Sequence, residues 1–452
     1  MIHLHLHPDV KLHSLSKEKI SLIHRKNEIT ISSPPPQWIS CLRSLAEGST
    51  EEGLYQAWTE ERGDRYLFYY FLQRLQQENI LSYRFADRSQ VFFVVVPKRN
   101  WAPFSGKIDP ALGLQMSRFA FFRQERGAWI IESPLSPIQV EIVDPALWTL
   151  AQKLASPQCL TALCAGGSQP DVSELMAVLK GGSLLSDADQ APSLAMWEFH
   201  DLVFHCKSRK GFERNPFGGT FRFEGMRPPL PAIKPPSGKP RVALPSPSLM
   251  ELAQKDPPFS IVAEKRRSLR KHGSIPLTLA EWGEFLFRAA RIQKKWPGPL
   301  YESTGRPSAG GGGCHELELY IVLQAADQAL KKGLYRYDPE EHALEEVNLW
   351  NETIERVMSD LEQAAHFQGV AQAAILLAAR FGRVSWKYES IAYATILKNT
   401  GALLQTLYLT ATCMNLAPCA IGGGDSVLFA EVAETDLYAE TTVGEFLIGS
   451  RD

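Results

Sequence analysis

Between Pro228 and Pro258 the chain carries Pro228-Pro229, Pro235-Pro236, Pro240, Pro245, Pro247 and Pro257-Pro258. Proline has no backbone N–H and a fixed φ, so neither a helix nor a sheet interior can run through such a stretch. It also lacks any helical or alternating pattern, and it reads as an extended linker. At 452 residues the chain is too long for one ordinary hydrophobic core. The expected division is a module over 1–95, a second over 96–227, the linker over 228–262, and a larger domain over 263–452.

The charge balance, 48 Lys plus Arg against 50 Asp plus Glu, gives −2. It provides no global attraction for nucleic acid or an anionic membrane. The seven cysteines form no CxxC pair, and the first residues show no basic-then-apolar segment. We read the chain as cytoplasmic, with reduced thiols. The longest apolar stretch, Ile391 to Cys413, is interrupted by Lys398, Asn399, Thr400 and Gln405, which suits a buried helix rather than a membrane span. His3, His5 and His7 alternate as ligands on one strand face would, yet no further ligand stands nearby. A strand edge is the better reading, and no metal is expected.

Upstream of the prolines there is an internal repeat. Ile29-Thr30-Ile31-Ser32-Ser33-Pro34 returns one hundred positions later as Trp129-Ile130-Ile131-Glu132-Ser133-Pro134. Each copy follows a strand candidate, Ile20 to Ile23 or Phe119 to Phe122. Each then shows helical spacing, at Trp38, Leu42 and Leu45 or at Leu147, Leu150 and Leu154. Each closes on a helix running into a strand, at Phe71 to Ser82 or Leu175 to Ser186. The order of hairpin, helices, helix into strand suits a winged-helix module, which serves DNA or peptide binding. Residues 1–90 hold eleven basic and eleven acidic side chains, whereas a DNA reader concentrates basic ones. Peptide binding by strand addition needs no such charge.

Downstream, Glu264-Lys265-Arg266-Arg267-Ser268-Leu269-Arg270-Lys271 offers guanidinium forks and a hydroxyl suited to a phosphate. Thr278 with Glu281 makes a capping box for the helical run Trp282, Phe285-Leu286, Ala289. Arg306-Pro307-Ser308-Ala309 leads through Gly310 to Gly313 into the alternating strand Leu317, Leu319, Ile321, Leu323, and glycines there let backbone approach a flat ligand. Gly333 to Asp338 with His342 to Leu344 reads as a hairpin, Ala373 to Ala379 as a central strand, and Ile421-Gly422-Gly423-Gly424-Asp425 as a second glycine loop.

This order of motifs, RRSLR, RPSAGGGG, GLYRYDP, WKY, GALLQTLYLTAT and APCAIGGGD, resembles the FMN-dependent nitroreductase-like flavoproteins. Within them it is most similar to the SagB-type dehydrogenase branch, which includes the cyanobactin thiazoline oxidases. Trp197 to Asp201 and Ser208 to Gly211 also resemble the stretch leading into that branch's catalytic domain. The resemblance implies an α+β fold, a mainly antiparallel sheet wrapped by helices, working as a homodimer with FMN at the subunit interface. It implies that Arg266, Ser268 and Arg270, with Arg267 beside them, hold the FMN phosphate, ribityl chain and polar ring edge. It places Gly422 and Gly423 under the ring, has Ser308, Ala309 and Gly310 close the site, and sets Gln405 in the flavin-contacting helix. Thr406 stands where the branch commonly has Asn.

In the azoline oxidases a Lys-Tyr motif sits at the active site, and Trp386-Lys387-Tyr388 falls at the matching place. The resemblance thus makes Lys387 and Tyr388 the catalytic pair. Aromatising a thiazoline removes a proton and a hydride from adjacent ring carbons, and a base poised near neutrality takes the proton; His315 is the next candidate. The expected activity is oxidation of thiazoline or oxazoline rings in a ribosomally made precursor peptide, with dioxygen as acceptor and the leader bound by the N-terminal modules. The alternatives are a nicotinamide-dependent nitro or quinone reductase, and a winged-helix peptide binder with a degenerate flavin domain.

Overall fold

A computed structural model describes residues 1–24, 27–87, 90–103, 108–125, 127–164, 170–186, 191–212, 216–325 and 329–452. The chain divides into two compact units, Met1–Pro216 and Phe217–Asp452.

In the first unit both repeat copies take the expected order. The hairpin Lys19–His24 with Asn27–Ser32 precedes the helix Pro36–Glu47, and the helix Arg65–Gln77 runs into the strand Leu81–Ala86. The second copy answers with Phe121–Glu125, Ala128–Glu132, the helix Pro145–Lys153, and Pro170–Gly181 running into Leu185–Ser186. The boundary expected at residue 95 falls inside the strand Val91–Pro97, which pairs antiparallel with Ile138–Ile142 of the second copy. One six-stranded sheet therefore spans both copies, in the order Ile2–Leu6, Leu81–Ala86, Val91–Pro97, Ile138–Ile142, Ala128–Glu132, Phe121–Glu125. One buried apolar cluster runs from Leu4 to Leu185. Sharing one sheet removes two exposed edges. His3 and His5 lie on the edge strand Ile2–Leu6.

The second unit is a seven-stranded antiparallel sheet, in the order Arg241–Ala243, Ala343–Leu349, Gly333–Asp338, Leu317–Leu323, Ala373–Arg380, Glu440–Gly449, Ala417–Ile421. The central strand Ala373–Arg380 is buried throughout. Its alternation sends Ile375, Leu377 and Ala379 into one core, with Trp282, Phe285 and Leu403, and Ala374, Leu376 and Ala378 into another, with Ile354, Leu361 and Phe429. The long helix Ala392–Cys413 and the helix Leu279–Ala290, whose Thr278–Glu281 capping box is formed, cover the first face. Among the described residues no helix is long and apolar enough to cross a membrane.

The proline-rich segment belongs to this second unit. It runs as a strap over the sheet: Leu230 and Pro231 carbonyls accept hydrogen bonds from Arg383 and Arg380 at 2.8 and 3.0 Å. Lys234 meets Tyr320 and Glu440, and Arg241–Ala243 extends the sheet along Ala343–Leu349. The linker expectation missed this because prolines erase periodicity while leaving carbonyls free. Buried guanidinium groups require such acceptors.

Candidate functional site

Two groups of candidate residues form, at the two ends of the helix Ala392–Cys413. The first gathers around Tyr408. The helix Phe259–Lys265 ends at Arg266, and the extended chain beyond it is held to the strand Ala417–Ile421 by Leu269 N–H donating to Pro418 O at 2.8 Å. Tyr408 Oη lies 2.6 Å from Ser268 Oγ and accepts from Ala420 N at 2.7 Å. The Arg266 guanidinium stands over the Tyr408 ring at 5.2 Å. Arg266 and Ser268 are half-buried, whereas Arg267 and Arg270 are exposed. Burial pushes the Cys419 thiol up, with Arg270 close enough to oppose it. Ala420 leads into the loop Gly422 to Gly424, where a Cβ on Gly422 or Gly423 would meet nothing within 4 Å. One hydroxyl thus ties the basic segment to the strand that carries the open glycine surface.

The second group gathers around the other glycine loop. Gly311 N–H donates to Asn399 Oδ1 at 2.9 Å, and Asn399 Nδ2 donates to Glu316 at 2.9 Å. Glu316 is fully buried, and that burial raises its carboxyl above the usual range. Lys387 Nζ donates to Gly312 O at 2.8 Å and stands 5.1 Å from the Tyr301 ring centre. A Cβ on Gly312, whose φ is +63°, would lie 2.2 Å from Tyr388 Oη and 2.9 Å from Lys387 Nζ. Lys387 and Tyr388 therefore converge on one glycine. Burial pushes the Tyr388 hydroxyl up, helped by the nearby Cys314. The His315 ring packs on Gly310 and is held neutral, down to about 4, by burial and then by Arg306 and Arg383. Ser308 is buried while Ala309 is exposed. Nε and Nη2 of Arg306, beside them, are buried without a hydrogen-bond partner.

The pair sits on a rigid mount. Lys387 ends the helix Phe381–Lys387, and one turn earlier Arg383 donates to the carbonyls of Leu230, Glu302 and Cys314 while stacking 4.2 Å from Tyr301. Tyr301 stacks on Trp386 at 5.9 Å, and Gly218–Gly219 pairs with Tyr388–Glu389.

The structure thus joins Arg266 and Ser268 to the strand before Gly422, and joins Lys387 and Tyr388 to the loop after Gly310. It does not bring the two groups together within one chain. Asn399 and Tyr408 are nine residues apart on one helix, roughly 13 Å along its axis. Gln405 lies between them on the exposed face. Thr406 is turned back on its own helix, donating to Ala402 O at 2.9 Å. Sequence reasoning passed over Tyr408, Arg383 and the role of Asn399. Asn399 had left one signal, a polar residue inside an otherwise apolar helix.

Residues 263–449 match the nitroreductase family, and residues 114–214 match the family described as cyanobactin oxidase ThcOx. A Methanocaldococcus jannaschii protein named as a nitroreductase is 28% identical over 160 residues, 35% of this chain and 75% of that protein. Among solved structures the chain is similar to one named as a nitroreductase from Ralstonia eutropha JMP134, at 21% identity and TM-score 0.39, over 53% of this chain and 99% of that one. It is also similar to a chain of the E. coli microcin synthetase McbBCD complex with truncated pro-MccB17 bound, at 17% identity and TM-score 0.35, over 59% and 100%. The family resemblance thus falls on two stretches: residues 263–449 are similar to the nitroreductase family, and residues 114–214 ahead of them to the cyanobactin oxidase family.

Proposed function

We propose that the chain is an FMN-dependent oxidase that converts thiazoline or oxazoline rings of a heterocyclised, ribosomally made peptide to thiazoles or oxazoles, with dioxygen as final acceptor. The observation that carries this reading is the meeting of Lys387 and Tyr388 at Gly312, in a nitroreductase-family domain preceded by a cyanobactin oxidase segment.

The residues present fit the cofactor. Open surface at Gly422 and Gly423 admits a flat ring, and the buried, unpartnered Arg306 Nε and Nη2 await an acceptor beside Ser308. Arg266, Ser268 and Arg270, with Arg267 exposed beside them, would hold the phosphate and polar edge; Ser308, Ala309 and Gly310 would close the site. When bound, FMN supplies the acceptor for a hydride. The separation of the two groups within one chain supports a homodimer in which a second copy supplies the missing half. The helix face Tyr393, Leu397, Gly401, Gln405, exposed at four-residue spacing, suits that contact.

Lys387 takes the ring Cα proton, which the adjoining C=N and carbonyl acidify, as hydride leaves the neighbouring ring carbon. Tyr388 orients the ring through its hydroxyl. The first unit, with its edge strand Phe121–Glu125, binds the leader by strand addition as a pair of winged-helix-like modules. The cytoplasm, where scattered cysteines stay reduced, is the compartment that this reading implies.

The test is to purify the protein, record its absorption spectrum, and follow a heterocyclised peptide by mass spectrometry. The expected result is a bound flavin and loss of two hydrogens per ring. Rapid reduction by NADPH with azolines ignored would replace this reading by the reductase alternative.

A further inference from the structure

We infer that a groove beside Trp386 receives the apolar residues that flank the ring in the peptide substrate. This rests on the oxidase reading and adds a specificity site to it. The groove, about 380 Å³, is lined by Glu224 to Pro229, Pro299, Leu300 and Trp386. Trp386 is its floor, fixed by Nε1 donating to Arg227 O at 2.7 Å. Its indole stacks on Tyr301, over whose ring the Lys387 amine stands. The groove therefore shares Trp386, the residue before Lys387, with the helix that carries the catalytic pair. A ring held at Lys387 inside a peptide must send its flanking residues along the adjoining surface, at about 3.3 Å each.

The lining chooses the chemistry of the occupant. Pro228, Pro229 and Pro299 offer no N–H, and the amides of Glu224, Met226 and Arg227 already donate to Phe221, Phe223 and Phe223. With these donors absent or taken, side-chain burial has the larger share here. Met226 is 70% exposed and Leu300 42%, large apolar groups that a partner would cover. Glu224 and Arg227 cancel, so the site selects for neither charge. The occupant is an extended, uncharged, apolar segment of the peptide.

The decisive experiment compares the full-length protein with the Met226→Glu, Leu300→Glu double variant. Both positions are exposed, so the fold and flavin content should persist. Three probes are used: a thiazoline peptide with leucine and phenylalanine flanks, a bare N-acetyl thiazoline amide, and a fluorescein-labelled, ring-free peptide of the same flanks. The expected result is a tenfold rise in KM for the flanked peptide, about 1.4 kcal/mol, with kcat and turnover of the bare thiazoline unchanged. Anisotropy should show a similar tenfold loss of affinity for the ring-free peptide. An unchanged KM for the flanked peptide, an equal loss on the bare thiazoline, or a change in oligomeric state on substitution would overturn the inference. If the wild type binds the ring-free peptide through these residues but oxidises neither thiazoline, the groove stands and the oxidase reading falls.

Discussion

Gly312 shows how much one missing side chain decides. Its φ of +63° strains any L residue, and a Cβ would press on both Tyr388 and Lys387. Its glycine run was legible in the sequence, as were Lys387 and Tyr388 through the order of motifs; that all three touch was not, since 75 residues separate Gly312 from Lys387. Tyr408 was illegible because it looks like any aromatic on an apolar helix. Its hydroxyl nevertheless joins Ser268 to Ala420. Tyr408→Phe should leave Ala420 N–H without its partner, cost about 1–3 kcal/mol, and loosen flavin retention on gel filtration; undiminished retention would show that the hydroxyl does not organise that end. His272 is buried, its Nδ1 accepting from Gln372 N, and burial lowers it to about 4. A lowered imidazole contributes stability that is complete above its unfolded value near 6.5 and lost as pH falls from there toward 4. His272→Asn keeps an acceptor for the Gln372 amide. Urea unfolding at a series of pH values should give a slope reduced by about 1.4 kcal/mol per pH unit between 6.5 and 4; the wild-type slope would contradict this.

Among the elements, the helix Ala392–Cys413 carries most of the site's geometry. Its sequence announced a buried helix, and one of its polar interruptions holds the loop: Asn399 both anchors Gly311 and satisfies the buried Glu316. Asn399→Ala removes these bonds at once and should destabilise the second unit by about 3 kcal/mol or more, because a buried carboxylate loses its donor. Glu316→Gln added to it should recover part of that loss, a coupling that a double-mutant cycle in urea would measure. Additive effects would mean that the pair does not interact. The strands Leu317–Leu323, Gly333–Asp338 and Ala373–Arg380 were readable because their alternation or apolar run matches what a two-sided sheet demands. The strap was not, since its stability resides in carbonyls meeting Arg380 and Arg383, and carbonyls leave no trace in a sequence.

At the scale of the molecule, the strap moves the functional boundary from the expected residue 263 back to Phe217. A chain of residues 217–452 should fold and retain flavin, whereas 263–452 leaves the Arg380 and Arg383 forks short of acceptors and should melt at least about 5 °C lower. Equal melting temperatures by differential scanning fluorimetry would restore the linker reading. The α+β character of the catalytic unit was implied by the resemblance that its motif order carries, and the order of the repeat was legible from periodicity. The fusion of both repeats into one sheet was not, because pairing of Val91–Pro97 with Ile138–Ile142 is long-range. The proposed azoline oxidation with Lys387 as base has one direct test. The direct measurement is anaerobic reduction of the full-length holoprotein by a thiazoline peptide, followed by flavin absorbance. Lys387→Ala should keep its flavin and its dithionite reduction yet fail to bleach with the peptide, while Tyr388→Phe bleaches more slowly than the wild type. Bleaching of Lys387→Ala at the wild-type rate would contradict the account.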